Sequence, residues 1–196
     1  KPDGLSVAQV HPSFVVRELL GDDVLGWDLD KVRWIGATGA STGGVAALCV
    51  KKDSGYTTWQ EVLDSGVTLI IGAAAHGGTA THAEWLTFVG EAPVKVLYGY
   101  GGTTEVAAAF DRGENNATAL CASETASVFR TFPDYLEEHL LTPLFRVKRE
   151  FTREELDTLF GPGTQQPPSI FDLPGVTYTE EEKKVLQAKG SPALSS

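Results

Sequence analysis

The sequence of 196 residues contains no methionine and two cysteines, and it is short of basic side chains. With 16 lysines and arginines against 26 acidic residues, its formal net charge at pH 7 is −10. Because an acidic surface repels phosphate backbones, we expect no nucleic-acid partner. A chain that opens at Lys1 without methionine is typical of a processed or trimmed polypeptide, so its lack of a signal peptide is weak evidence about location.

Long apolar runs and catalytic motifs are also missing. No run approaches the roughly 20 apolar residues that a membrane-spanning helix needs. There is no Gly-x-Ser-x-Gly turn, and neither cysteine has a candidate base beside it. His76 and His82 are six residues apart and have no evident third ligand, which is not the spacing of a helical metal pair. We therefore expect a protein without catalytic activity, metal or cofactor.

Cys49 and Cys121 each lie in an apolar, strand-like segment, residues 45–50 and 117–122. Buried free thiols pack as small hydrophobic side chains and need no partner. A disulfide would require the two segments to lie close in space, which a linear sequence does not show. We predict two buried free thiols, and a disulfide between them stays open as the alternative.

The sequence is 42% hydrophobic and alternates short apolar segments with segments of helical periodicity. The predicted strands are residues 6–11, 31–36, 45–50, 68–73, 95–100, 117–122 and 143–147. The predicted helices are residues 15–20, 58–64, 81–91, 103–112, 124–140 with a break near Pro133, 152–160 and 179–189. Thr58 with Glu61, and Thr152 with Glu155, match the capping box that starts a helix. This alternation predicts an α/β fold with a mostly parallel sheet.

The turns that follow strands are the candidate binding sites, because open α/β sheets bind ligands beyond the carboxyl ends of their strands. Residues 72–82 form a turn rich in glycine and threonine between a strand and a helix. Glycine allows close approach of the backbone, and a helix start offers free N–H groups to a carboxylate. Gly78 stands where a nucleotide-binding loop requires lysine, so nucleotide is disfavoured. The candidate ligand-binding residues here are Gly77, Gly78, Thr79, Thr81 and His82.

Two further turns repeat this arrangement. Residues 99–105 follow a predicted strand, and Thr103 or Thr104 would cap the next helix. The Tyr100 ring would form one wall of the ligand site, or its hydroxyl would donate a hydrogen bond to the ligand. The alternative is an ordinary tight turn between strand and helix, with Tyr100 packed in the core. Another turn follows the strand predicted at residues 117–122. The candidate ligand-binding residues of these turns are Tyr100, Gly101, Gly102, Thr103 and Ser123.

Several segments resemble one known family, in order and in spacing. Residues 99–105, Gly-Tyr-Gly-Gly-Thr-Thr-Glu, with Arg-Gly-Glu at 112–114, are similar to its G-Y-K-G-T-x-E…R-G-E run, and residues 72–82 to its G-S-x-G-x-G-S-x-x-H loop. Further matches are residues 1–4 (Lys-Pro-Asp-Gly), 34–36, 50–58 and 171–175. The family is the periplasmic solute receptors of tripartite tricarboxylate transporters, named TctC or Bug.

The resemblance implies a type II periplasmic-binding-protein fold, in which two α/β lobes close on a carboxylated solute. The family's first strand and its glycine-rich gripping loop precede the Pro-Asp-Gly segment and are absent from this sequence. We therefore expect mostly the second lobe with parts of the first. Residues 1–35 would form a first-lobe strand, helix and crossover, residues 36–142 the second lobe, and residues 143–196 a return segment and tail.

The resemblance also implies a function without catalysis. The partners would be a small carboxylated solute and the membrane permease subunits of the transporter, and the location would be periplasmic or extracytoplasmic. Two alternatives stay open. The protein could be an interaction or sensory module that kept the fold and lost the solute, which the missing loop favours. An α/β enzyme would need a nucleophile or metal that the sequence does not show.

Overall fold

The computed structural model describes residues 31–33, 35, 46–74, 81–88, 92–147, 149–180 and 183. The chain divides into two compact units, Lys1–Thr38 and Gly39–Ser196. In the first unit none of the four described residues lies in a strand, so the strand predicted at residues 31–36 is not found there. The strand predicted at residues 6–11 and the helix predicted at residues 15–20 lie outside the described residues, as does all of the helix predicted at residues 179–189 except residues 179, 180 and 183. All elements named below belong to the second unit.

Five strands form one mixed sheet. They are β1 (Ala46–Lys51), β2 (Leu69–Gly72), β3 (Val94–Leu97), β4 (Ala117–Thr118) and β5 (Leu141–Val147), in the order β3-β2-β4-β1-β5. β2 pairs in parallel with β3 and β4, whereas β1 pairs antiparallel with β4 and β5. The α/β class is confirmed. The prediction of a mostly parallel sheet missed the reversed strand β1, because an apolar run can pair in either direction.

The helices of the described residues lie between and after these strands. They are α1 (Trp59–Ser65), α2 (Thr81–Phe88), α3 (Thr103–Asp111), α4 (Ser127–Thr131), α5 (Asp134–Glu137) and α6 (Arg153–Phe160). The helix predicted at residues 124–140 is divided between α4 and α5, and the predicted break at Pro133 is confirmed. Proline lacks an N–H group and disfavours helical backbone in the residue before it.

Both predicted capping boxes are confirmed. The Thr58 hydroxyl accepts the Glu61 amide, and the Glu61 carboxylate accepts the Thr58 amide in return. Thr152 and Glu155 make the same reciprocal pair at the start of α6. Because each box satisfies two amides that the helix leaves free, it fixes the residue at which the helix begins.

The core lies on both faces of the sheet, and β1 contributes to both. Leu48 and Val50 pack on one face with Trp59 and Phe145, whose rings meet edge to face. Cys49 packs on the other face in a cluster that includes aromatic side chains of α3, α4 and α6. Alternate residues of a strand point to opposite faces, so a strand covered on both sides must be apolar throughout.

Cys49 and Cys121 form a disulfide, with 6.4 Å between their Cα atoms, and both are fully buried. The prediction of two free thiols is therefore wrong. β1 lies beside β4, with Cys49 opposite Thr118, so the turn after β4 brings Cys121 against β1. This proximity depends on the strand order, which the sequence does not reveal.

Candidate functional site

The carboxyl ends of β2, β3 and β4 lie at one edge of the sheet, which we name the carboxyl edge. It comprises residues 72–74, 97–103 and 118–127. After β2 the chain passes through α2 to β3 on one side, and then returns to β4 on the other side of β2. The connections after β2 and β4 therefore leave in opposite directions, which opens the kind of crevice in which α/β sheets bind ligands.

The turn after β2 is described only at its two ends. Ala73 is buried, and its amide donates to the Leu97 carbonyl at 2.8 Å, which holds the turn against the end of β3. Thr81 and His82 begin α2. Gly77, Gly78 and Thr79 lie outside the described residues. The ligand-binding roles of all five residues therefore stay predictions.

Tyr100 crosses the carboxyl edge over Gly72. Its hydroxyl donates to Asn115 Oδ1 at 3.2 Å, and Asn115 is 1% exposed. A Cβ atom on Gly72 would lie 2.5 Å from Asn115 Nδ2 and 3.0 Å from the Tyr100 ring. Position 72 therefore requires glycine, because Asn115 and the half-buried Tyr100 ring leave no room for a side chain there. Asn115, whose Nδ2 atom has no partner among the described residues, was missed by the sequence reasoning.

Gly101 and Gly102 lead into α3. The Gly101 amide donates to Glu105 Oε2 at 2.7 Å, so this amide is already hydrogen-bonded to a carboxylate of the protein itself. Gly102 is the residue before the first helical turn, and no side chain caps it. The prediction that Thr103 or Thr104 caps this helix is wrong, because both residues lie inside its first turn. This leaves their hydroxyls available for other contacts.

The turns after β3 and β4 meet at a hydroxyl pair. Ser127 Oγ donates to Thr103 Oγ1 at 2.7 Å, which joins the first residues of α3 and α4. Ser123 makes only local contacts in the described structure: its hydroxyl lies 3.1 Å from that of Thr125, and its carbonyl accepts the Ala126 amide. The structure thus brings Thr103 next to Ser127, which was not predicted, and leaves Ser123 on the exposed side of the same turn.

A groove of about 280 Å³ runs between α3 and α4, next to this hydroxyl pair. It is lined by Thr104, Ser127, Arg130 and Thr131. The groove therefore combines three hydroxyls with one guanidinium group. A second, apolar cavity near the start of β1 measures about 20 Å³, which is room for a single water molecule and too small for an organic acid.

A buried carboxylate lies in the first turn of α2. Glu84 is 9% exposed, and the Tyr98 hydroxyl donates to its Oε1 atom at 2.7 Å. Burial and the neighbouring carboxylate both raise the pKa of Tyr98, so the phenol stays protonated and keeps this hydrogen bond at neutral pH. This pair was also missed, since nothing in the sequence shows that residues 84 and 98 touch.

Metal-binding clusters and membrane-spanning helices are both absent from the described residues. That part of the chain holds no cluster of three histidine, cysteine, aspartate or glutamate side chains that could bind a metal ion. None of its helices has the length and apolar character needed to cross a membrane.

Comparison with known proteins gives one distant likeness. No family model and no curated protein matches this chain. Among solved structures, "R. palustris Rpa4515 with adipate" is similar with 18% sequence identity and a TM-score of 0.43, over 84% of this chain and 58% of that one. This chain thus spans 58% of the length of that protein. A likeness this distant shows neither the family nor the ligand, and the type II binding fold stays a prediction.

Proposed function

We propose that this protein binds a small organic carboxylate at the carboxyl edge and catalyses no reaction. The observation that carries the proposal is the 2.7 Å contact between Thr103 and Ser127, because it joins the turns after β3 and β4 beside the crevice. A few convergent hydroxyl and amide donors in a concave site are typical of small-molecule binding. The sequence resemblance to solute receptors supports the same class of ligand.

The proposed role is that of the receptor component of a tripartite tricarboxylate-type transporter, which delivers its solute to membrane permease subunits. The sequence resemblance supports this role. The disulfide between Cys49 and Cys121 supports the extracytoplasmic location that such a receptor needs. Disulfides persist in oxidising compartments and are rare where thiols are kept reduced.

A thermal-shift screen with mono-, di- and tricarboxylates tests the proposal. A ligand at 100 times its Kd raises the free energy of unfolding by about 2.7 kcal/mol. For a chain of this size the Tm should then rise by roughly 5–10 °C. We expect such a rise with at least one acid, confirmed by isothermal titration calorimetry. No stabilisation by any acid, with the protein folded and monodisperse, would contradict the proposal.

A pair of threonine variants tests the place of the site. Thr103→Val removes the hydroxyl that accepts Ser127, and we expect it to weaken binding of the acid found in the screen by about three- to tenfold. The matched control is Thr164→Val, because the Thr164 hydroxyl donates only to the carbonyls of Phe160 and Gly161. We expect the control to bind like the wild type. Equal affinities in all three proteins would remove Thr103 from the site.

A further inference from the structure

The arginines of the second unit differ in their pairing. The unit contains five, and four of them form ion pairs with carboxylates at 2.6–3.1 Å. These pairs are Arg112–Glu114, Arg146–Glu150, Arg149–Glu155 and Arg153–Asp157. Arg130 has no acidic partner among the described residues, although the chain carries 26 acidic side chains. Its guanidinium group is exposed and lines the groove between α3 and α4.

The local backbone explains why Arg130 has no acidic partner within the described part of the chain. Asp134 is four residues further on, the spacing at which a continuous helix would bring the two charges together. However, α4 ends at Thr131, and Pro133 precedes the separate helix α5. The break removes the helical register that would let Asp134 neutralise the guanidinium group. Arg130 is therefore left available to an anion in the groove.

We propose that this groove binds a carboxylate group of the solute, with Arg130 as its counter-ion. The proposal rests on the proposed function and adds to it the charge that selects an anion. A guanidinium group binds a carboxylate through two parallel N–H···O bonds, and the hydroxyls of Thr104 and Thr131 supply further donors, whereas the Ser127 hydroxyl already donates to Thr103. The chain has a net charge of −10, so a local cation is needed to offset the repulsion of an anionic ligand.

The size of the groove limits what it holds. Pockets for drug-sized ligands measure roughly 300–1,000 Å³. The groove, at about 280 Å³, matches a small acid or one end of a longer dicarboxylate. Inorganic phosphate offers the same oxygen acceptors, so the experiment must separate the two kinds of anion.

Calorimetric titrations of succinate, citrate and inorganic phosphate into wild type and variants test the proposal. We expect Arg130→Gln to weaken carboxylate binding by about 10- to 100-fold. Arg130→Lys should weaken it less, because an ammonium group keeps the charge but cannot make the two parallel hydrogen bonds of a guanidinium group. Arg153→Gln is the matched control, since it removes an exposed arginine that pairs with Asp157. We expect this control to bind like the wild type. In NMR spectra of the wild type, the Arg130 Nε–H resonance should shift on addition of acid.

The outcomes separate the two proposals. If a carboxylate binds wild type and Arg130→Gln equally, the role of Arg130 is overturned and the proposed function stands. If none of the three anions binds the folded wild type, both proposals fall. If only phosphate binds and its binding depends on Arg130, the groove is an anion site, and the assignment of a carboxylate to it is overturned together with the proposed function.

Discussion

Removing the disulfide should destabilise the protein strongly, and the loop that it closes sets the magnitude. Cys49 and Cys121 are 72 residues apart in sequence. Closing a loop of that length lowers the entropy of the unfolded chain by an amount equivalent to about 4.4 kcal/mol at 25 °C. Both residues are fully buried, so the bond also lies in the core. We expect the variant Cys49→Ala/Cys121→Ala to lose up to about 4 kcal/mol of its free energy of unfolding.

Urea denaturation followed by fluorescence and circular dichroism measures this loss. With a slope of about 2 kcal/mol per molar urea, the midpoint should fall by about 2 M. The oxidised wild type should show a similar fall when it is unfolded with dithiothreitol, whereas the double variant should not respond to the reductant. Any change that dithiothreitol causes in the double variant must therefore come from groups other than the disulfide, which makes this variant the control for the reductant.

Two results would contradict the expected role of this bond. One is a loss of less than about 1 kcal/mol in the double variant, since loop closure predicts several times more. The other is a titration of unfolded wild type, without reductant, that finds two free thiols. That result would also remove the disulfide from the support for an extracytoplasmic location.

Two other substitutions test the packing and the electrostatics. Gly72→Ala should lower the free energy of unfolding by about 1–3 kcal/mol, because the added methyl group must displace Asn115. Gly102→Ala is the control and should cost less, because its methyl group would meet no atom within 4 Å. Equal urea midpoints for the two variants would contradict the close contact between Gly72 and Asn115. A hydrogen bond from Arg149 lowers the pKa of Glu155 to about 2, against an ordinary 4.5. The ionised Glu155 therefore stabilises the folded protein fully above pH 4.5, and this contribution is lost as the pH falls towards 2. Glu155→Gln should therefore be less stable than wild type at pH 7, and the difference should fade over that acid range; a difference independent of pH in urea titrations would argue against this linkage.

Most features that depend on neighbouring residues were predictable from the sequence, the cap assigned to Thr103 or Thr104 being the exception. The capping boxes at Thr58 and Thr152 were confirmed, because each is decided within four residues by hydrogen bonds between side chain and backbone. The break at Pro133 was confirmed because proline acts on its immediate neighbours, by lacking an N–H group and restricting the residue before it. Five of the seven strands predicted from apolar segments were found, although β4 is shorter than the predicted segment at residues 117–122. The strand predicted at residues 31–36 was not found, and the one at residues 6–11 lies outside the described residues.

Features that depend on contacts distant in sequence were not predictable. The direction of β1 and the pairing of Cys49 both follow from the place of β1 between β4 and β5, and an apolar alternation is the same whichever way a strand runs. In the candidate site, glycines and hydroxyls after strands marked Tyr100 and Thr103. Ser127 and Arg130 were missed, because they lie on a helix and become relevant only once α4 packs against α3.

The place of β1 also has a consequence for the order in which the molecule can fold. β1 is the first strand of the described sheet, yet Ala46 pairs with Val147, and its other neighbour is β4. During synthesis β1 therefore stays unpaired until both β4 and β5 have been made. Its pairing joins residues that are far apart in the sequence. Such contacts slow folding and leave unpaired strands exposed to aggregation. A chain truncated before β5 should thus lose its whole folded structure rather than keep a smaller stable sheet.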